Sequence, residues 1–410
     1  MLSKELIRKI ASEYYQKYQK EGVNITLSQL IKKAEISAQK AENNYLKLKP
    51  PKTSSEEIYL IYWIREALDK DFARRTLITI DYKNPPPEPY FQALVEYFSL
   101  LPLELIRKLN QEINNTPPID RKKLWESFNF PVKEVENKFI RLILTRRDYF
   151  LKKKQLSPLE ASLKQFKIPR RSYQRFLQDR DEVIKLCNRL LPDTGKMPTW
   201  FYSEFNLPCF VCRLTKFPLK DFKQAIDFVF QKYPCFSVFK PKVKIKMGEA
   251  TFVKYEKITD SFLITIDKYA NFRHQLVGLI HELSHVINLL KDFQNRIDVL
   301  QKGKYFQERG AVKIELSLLK ALSENLFRAS LSKILLTFWR VIFEIDLYKN
   351  PNQDIERLYA YTFNLCFRKA NQKRNRFYIL NERILTAPFS TLPHTIAYFE
   401  IVQKNFSSTQ

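Results

Sequence analysis

Apolar positions recur at three- and four-residue spacing through the first half of the chain. Leu6, Ile7 and Ile10 form one set, Leu27, Leu30, Ile31 and Ala34 a second, and Ile58, Ile61, Ile64 and Leu68 a third. This spacing puts apolar side chains on one helix face and predicts a succession of amphipathic helices. Pro50-Pro51, Pro85 to Pro87, Pro117-Pro118 and Leu191-Pro192-Asp193-Thr194-Gly195 punctuate them. Proline lacks the amide proton that would continue a helix, so each cluster reads as a stop. The pattern changes after Met197-Pro198. Lys220 to Lys232 carries Phe222, Ala225, Ile226, Phe228 and Val229 at helical spacing. Lys242 to Lys246 and Thr251 to Tyr255 then alternate at period two, and Ser261 to Asp267 is a short apolar run between polar turns; all three predict strands. From about residue 272 the helical spacing returns and continues to the end. The expected fold is mainly α (α+β). A helical N-terminal lobe spans 1–195, and a second lobe spans 196–410 with a small β-sheet beside its first long helix.

The segment Gln275 to Leu290 is apolar nearly all round, which places that helix in a core. It nevertheless carries His281-Glu282-Leu283-Ser284-His285, an HExxH sequence, and so holds two of the chain's four histidines. Histidines at i and i+4 project from one face, close enough for both imidazoles to reach one Zn²⁺. Glu282 lies beside the first of them, turned toward the open coordination position, where it is placed to take a proton from an attacking water. Two imidazoles leave a tetrahedral zinc half filled, so a third ligand is expected. The next histidine is His394, which excludes an HExxHxxGxxH arrangement. Three glutamates on the following helix are candidates: Glu308, Glu315 and Glu324. Glu315 is preferred because it sits among Val312, Ile314, Leu316, Leu318 and Leu319, and an acid in apolar company is usually bound to something.

With these residues in place the sequence resembles the gluzincin oligopeptidases, specifically the thimet oligopeptidase and oligoendopeptidase F group with its carboxypeptidase Taq relatives. Phe262 to Asp267, Leu279-Ile280-His281-Glu282-Leu283-Ser284-His285 and Ile314-Glu315-Leu316 follow that family's order of strand, HExxH helix and ligand glutamate. The resemblance covers about 251–325. It implies a largely helical zincin-like protein with one zinc ion, in which the strand beside the helix is an edge that pairs with an extended peptide substrate. It also implies that a late His and Tyr, here His394 and Tyr398 in Leu392-Pro393-His394-Thr395-Ile396-Ala397-Tyr398, donate to the oxyanion. Ser284 stands where the family commonly has glycine, and the interval to Glu315 is longer than usual.

Composition narrows the remaining classes. The chain has 410 residues, 45% of them hydrophobic, which suits a folded protein of two lobes. Its 6 glycines form no phosphate-cradling pattern. The charge is 70 − 44 = +26, which makes nucleic acid a possible partner. It is not the favoured one, since basic residues are spread along the chain with acids interleaved. The 5 cysteines form no regular framework, and Cys209-Phe-Val-Cys212 stands without a second pair; a reducing, cytoplasmic setting is expected. The N-terminus lacks a signal-peptide apolar core, and Ile334 to Leu347 is short and interrupted by Arg340, Glu344 and Asp346, so no membrane partner is expected. The expected function is zinc-dependent hydrolysis of peptide bonds in oligopeptides. A basic nucleic-acid-associated protein and a catalytically degenerate zincin scaffold are the alternatives.

Overall fold

A computed structural model describes residues 2–20, 25–47, 89–116, 131–191, 216–248, 250–256, 261–268, 270–295, 299–368 and 376–407, with single positions between 60 and 68 and at 120 and 123. Cys209 and Cys212, and most of the proline breaks of the first half, lie outside these residues. The fold is mainly helical with one small sheet, as the patterning predicts.

The first helices are α1 (Lys4–Lys20) and α2 (Leu27–Lys47). Ile7, Ile10, Tyr14, Tyr18, Leu30 and Ala34 close a small core with Ile64 and Leu68. The spacings noted in the sequence are therefore the buried faces. Beyond the helical positions between 60 and 68, the described residues form α3 (Pro89–Leu100), α4 (Leu103–Asn115), α5 (Val132–Tyr149) and, after one π-helical turn, α6 (Pro158–Gln165). Helix α6 starts with a capping box, in which Ser157 and Glu160 satisfy each other's backbone amides. Helix α7 (Arg170–Leu190) completes this half.

The sequence divides at 195, but the main core does not. Tyr97, Phe139, Leu142, Phe176 and Ile184 share one buried cluster with Leu276, Leu283, Leu335, Trp339 and Phe399. The change of pattern near 195 therefore does not divide the main cluster, while α1 and α2 keep their own small one.

Helix α8 (Phe222–Lys232), capped by Asp221, leads through a 3₁₀ segment to the sheet. Strands β1 (Val243–Gly248), β2 (Phe252–Glu256) and β3 (Ser261–Asp267) are arranged in the order β1-β3-β2. β3 pairs in parallel with β1 and antiparallel with β2. The strand expected to be an edge is thus the central one, which explains its apolar run: both neighbours and α9 cover it. Its pairing groups are taken by β1 and β2, so an extended peptide has no place on β3 itself.

Four further helices form the other side: α9 (Phe272–Gln294), α10 (Val299–Leu322), α11 (Glu324–Lys349) and α12 (Ile355–Cys366). The short α13 (Glu382–Thr386) and the last helix, α14 (Leu392–Ser407), close the chain. Asn271 caps α9 through the Arg273 amide, and Gln275 holds the strand end by donating to the Asp267 carbonyl at 2.9 Å. Ser323 caps α11, which turns the chain sharply out of α10. Helix α11 is the spine of the core; its Trp339 indole packs against Tyr359 and Phe363 at ring separations of 5.0 Å. The apolar stretch 334–347 is buried here within the protein. No helix among the described residues is long and apolar enough to cross a membrane.

Candidate functional site

Helices α9 and α10 run antiparallel in close contact, with a glycine at their interface. A Cβ at Gly310 would collide with the end of the Asn288 side chain, which would have to move to admit it. Gly310 lies two residues after Glu308, and Asn288 three after His285. Earlier in α10, Gly303 adopts φ 76°, and a Cβ there would stand 2.8 Å from Lys167. That left-handed residue kinks the chain just before the turn that carries Glu308.

The consequence is a convergence of polar groups in an apolar core. His281 Nε2 and His285 Nε2 are 3.2 Å apart. Glu308 Oε2 is 3.1 Å from His285 Nε2 and 3.8 Å from His281 Nε2. His394, brought by α14, places its Nε2 2.9 Å from the same oxygen. Glu308 is buried and its Oε2 makes no hydrogen bond of normal geometry, the contacts having the distance but not the direction. Burial opposes ionisation of Glu308, yet the charges of His394 and His285 hold its carboxyl well below the usual range. For His285, burial lowers the pKa and Glu308 raises it, with a net rise. Burial pushes His394 down to about 4.

The His281 ring is fixed from its other side. Its Nδ1 lies 2.8 Å from Glu315 Oε2, so the ring donates there and turns the Nε2 lone pair toward His285 and Glu308. Glu315 also accepts from Tyr398 Oη at 2.7 Å and from Lys333 Nζ at 3.0 Å. With three donors its carboxylate is saturated. Burial works against its ionisation, but Lys333 and His281 hold it strongly ionised. Burial and Glu315 together push the Tyr398 phenol far up.

These positions revise two expectations. The third place beside the two imidazoles belongs to Glu308, not to Glu315. Glu308 lies against the Nε2 side of both rings, whereas Glu315, two turns further along α10, meets His281 on the Nδ1 side of its ring. Tyr398 donates its hydroxyl hydrogen bond to Glu315 rather than toward the convergence, and is not placed there as an oxyanion donor. His394 does reach the convergence. Glu324 is remote from it, pairing with Arg328 at 3.1 Å at the start of α11. Glu282 is buried and makes no hydrogen bond or ion pair among the described residues. The Ser284 hydroxyl donates to the Ile280 carbonyl at 2.7 Å, so serine is satisfied where the resembled family has glycine. Lys333 escaped the sequence reading; the available signal was a lone cation in the apolar run Leu331 to Phe338.

The arrangement suits a divalent cation. His281, His285 and Glu308 offer three ligand atoms all within 4.8 Å of one another. Ligand atoms 2.0–2.1 Å from a tetrahedral zinc lie roughly 3.3 Å apart, and the observed separations bracket that value. No family model matches the chain, and no curated protein is similar to it.

Proposed function

We propose that the chain is a zinc-dependent peptidase of the glutamate-ligand type. Its ligands are His281 Nε2, His285 Nε2 and a Glu308 carboxylate oxygen. The observation that carries the reading is the convergence of two imidazole nitrogens and one orphaned carboxylate oxygen, buried in an otherwise apolar core. Such a group of lone pairs costs stability unless a cation joins it.

A bound zinc ion would polarise the scissile carbonyl and acidify the attacking water. Glu282, with no protein partner among the described residues, takes the proton from that water and passes it to the leaving amine. Glu315 orients His281 and keeps its Nδ1 protonated, so that Nε2 stays free to ligate. Lys333 and Tyr398 in turn hold Glu315. His394 stands beside Glu308 where it can donate to charge developing on the substrate oxygen.

Elemental analysis of the purified protein, with peptide hydrolysis measured in parallel, tests the reading. About one zinc per chain is expected, lost in His281→Ala and retained in Glu282→Gln, with cleavage abolished in both. A protein that carries no zinc, or a Glu282→Gln variant with full activity, refutes it.

A further inference from the structure

The sheet has two faces, and only one of them meets the core. Phe262, Ile264 and Ile266 of β3 belong to the buried cluster, with Val243, Ile245 and Val253 packed beside them. Alternation turns the residues between these to the opposite face. Pairing across the three strands then fixes which of them are neighbours. Lys244 of β1, Leu263 of β3 and Lys254 of β2 form one row, and Lys246, Thr265 and Phe252 form the next. Adjacent strands lie about 4.8 Å apart and alternate residues of one strand about 6.7 Å, so the three lysines share a patch roughly 10 Å across.

Lys244, Lys246 and Lys254 are exposed, and none makes a hydrogen bond or ion pair among the described residues. Among the described side chains, the acid that alternation assigns to this face is Asp267, at its end beside Gly248. Phe252 stands in the same patch and is 45% exposed. Lysines alone would guard a sheet against self-association. An open aromatic ring among them does the reverse, so protection does not account for the set. Cations beside an exposed ring on a sheet face suit an unpaired nucleic-acid strand: the cations follow its phosphates, and the ring stacks on a base. A duplex keeps its bases inside, and an acidic peptide carries no base to stack. The net charge of +26 adds a long-range attraction for polyanions.

We propose that the outer face of the sheet binds single-stranded nucleic acid, with Lys244, Lys246 and Lys254 on its phosphates and Phe252 stacked on a base. No residue of the metal site takes part, so the proposal does not depend on the peptidase reading.

Fluorescence anisotropy of the full chain tests it, with labelled oligo-dT and oligo-U of about 20 nucleotides and a duplex of the same length. The salt range is about 50–200 mM, over which phosphate contacts weaken measurably. The wild type is expected to bind one or both single strands about tenfold or more tightly than the duplex. The better of the two identifies the sugar. Lys244→Gln/Lys246→Gln/Lys254→Gln should weaken that binding about tenfold or more. Its slope of log affinity against log salt should flatten by about 2, since each phosphate contact on a single strand contributes about 0.7. Phe252→Ala should cost about fivefold or more with the slope unchanged, as the loss of one stacked base requires. Lys9→Gln/Lys32→Gln/Lys40→Gln removes the same charge from exposed positions of α1 and α2. At about 0.15 M salt it should change affinity less than about twofold. Circular dichroism checks that each variant is folded. Equal losses in the two triple variants would mean that binding follows net charge, and would overturn the site. Duplex bound as tightly as either single strand would overturn it as well. So would polyglutamate that displaces the oligonucleotide at equal charge, which would make the face one for acidic polypeptides.

Discussion

At the scale of single residues, two glutamates on one helix are separated by their partners rather than by their surroundings. Both are buried, and both lie on the same face of α10. Glu315 is saturated by His281, Tyr398 and Lys333, whereas Glu308 ends in an oxygen without a hydrogen bond. Removing them should therefore have different effects. Under the zinc reading proposed above, Glu308→Ala deletes one of three ligands, and the protein is expected to lose zinc on dialysis. Glu315→Gln leaves the ligands in place but loosens the His281 ring, so about one zinc per chain should remain, bound roughly 10–100-fold more weakly. Competition against a chromogenic chelator measures both, and equal losses would contradict the division of roles. Glu282 belongs to the same scale. Glu282→Gln should lower kcat by about 10²–10⁴ or more with metal content unchanged.

Between elements, the site depends on how near α10 comes to α9. Gly310→Ala puts a methyl group into the Asn288 side chain, an overpacking that typically costs about 1–3 kcal/mol. Because Glu308 is half a turn away, zinc affinity should fall together with stability. Asn288→Ala alone removes only a half-buried side chain, and the Gly310→Ala/Asn288→Ala pair should recover most of both losses. A double-mutant cycle of denaturation midpoints and zinc affinities checks this; simple additivity would mean that the collision is relieved in some other way. The sheet acts at the same scale. β3 anchors the start of α9 through Gln275 and Asp267, and as the central strand it supports the helix rather than offering a binding edge.

Across the whole molecule, the core extends well beyond the site. Helix α11 and its aromatic neighbours Phe176, Tyr359, Phe363 and Phe399 connect α7, α12 and α14. Trp339→Ala should destabilise the fold by about 3–5 kcal/mol, while the folded fraction keeps about one zinc per chain. Chelation should act in the opposite way. Zinc binding to the native state alone contributes about 2.7 kcal/mol when free zinc is 100 times its Kd. Its removal should lower Tm, yet the far-UV helical signal at 25 °C should persist. Collapse of that signal on chelation would make the metal a part of the fold's foundation. Calorimetry and circular dichroism with and without chelator separate the two outcomes.

Sequence by itself determined the elements and the pair of imidazoles on one helix face. Periodicity of three to four and of two follows directly from helix and strand geometry, so β1, β2, β3 and α8 appear within a residue or two of where alternation and amphipathic spacing put them. His281, Glu282 and His285 were legible because i, i+4 spacing is a local relation inside one helix. The choice between Glu308 and Glu315 was not local. Both offered an acid on the same face, and the apolar company of Glu315 reflected its burial under Lys333 and Tyr398 rather than a ligand role. Only the packing of α10 on α9 decided which carboxylate met the two Nε2 atoms. The central position of β3 and the core shared across residue 195 arise in the same way. Each is a relation between segments far apart in the chain, which no periodicity along a single segment encodes.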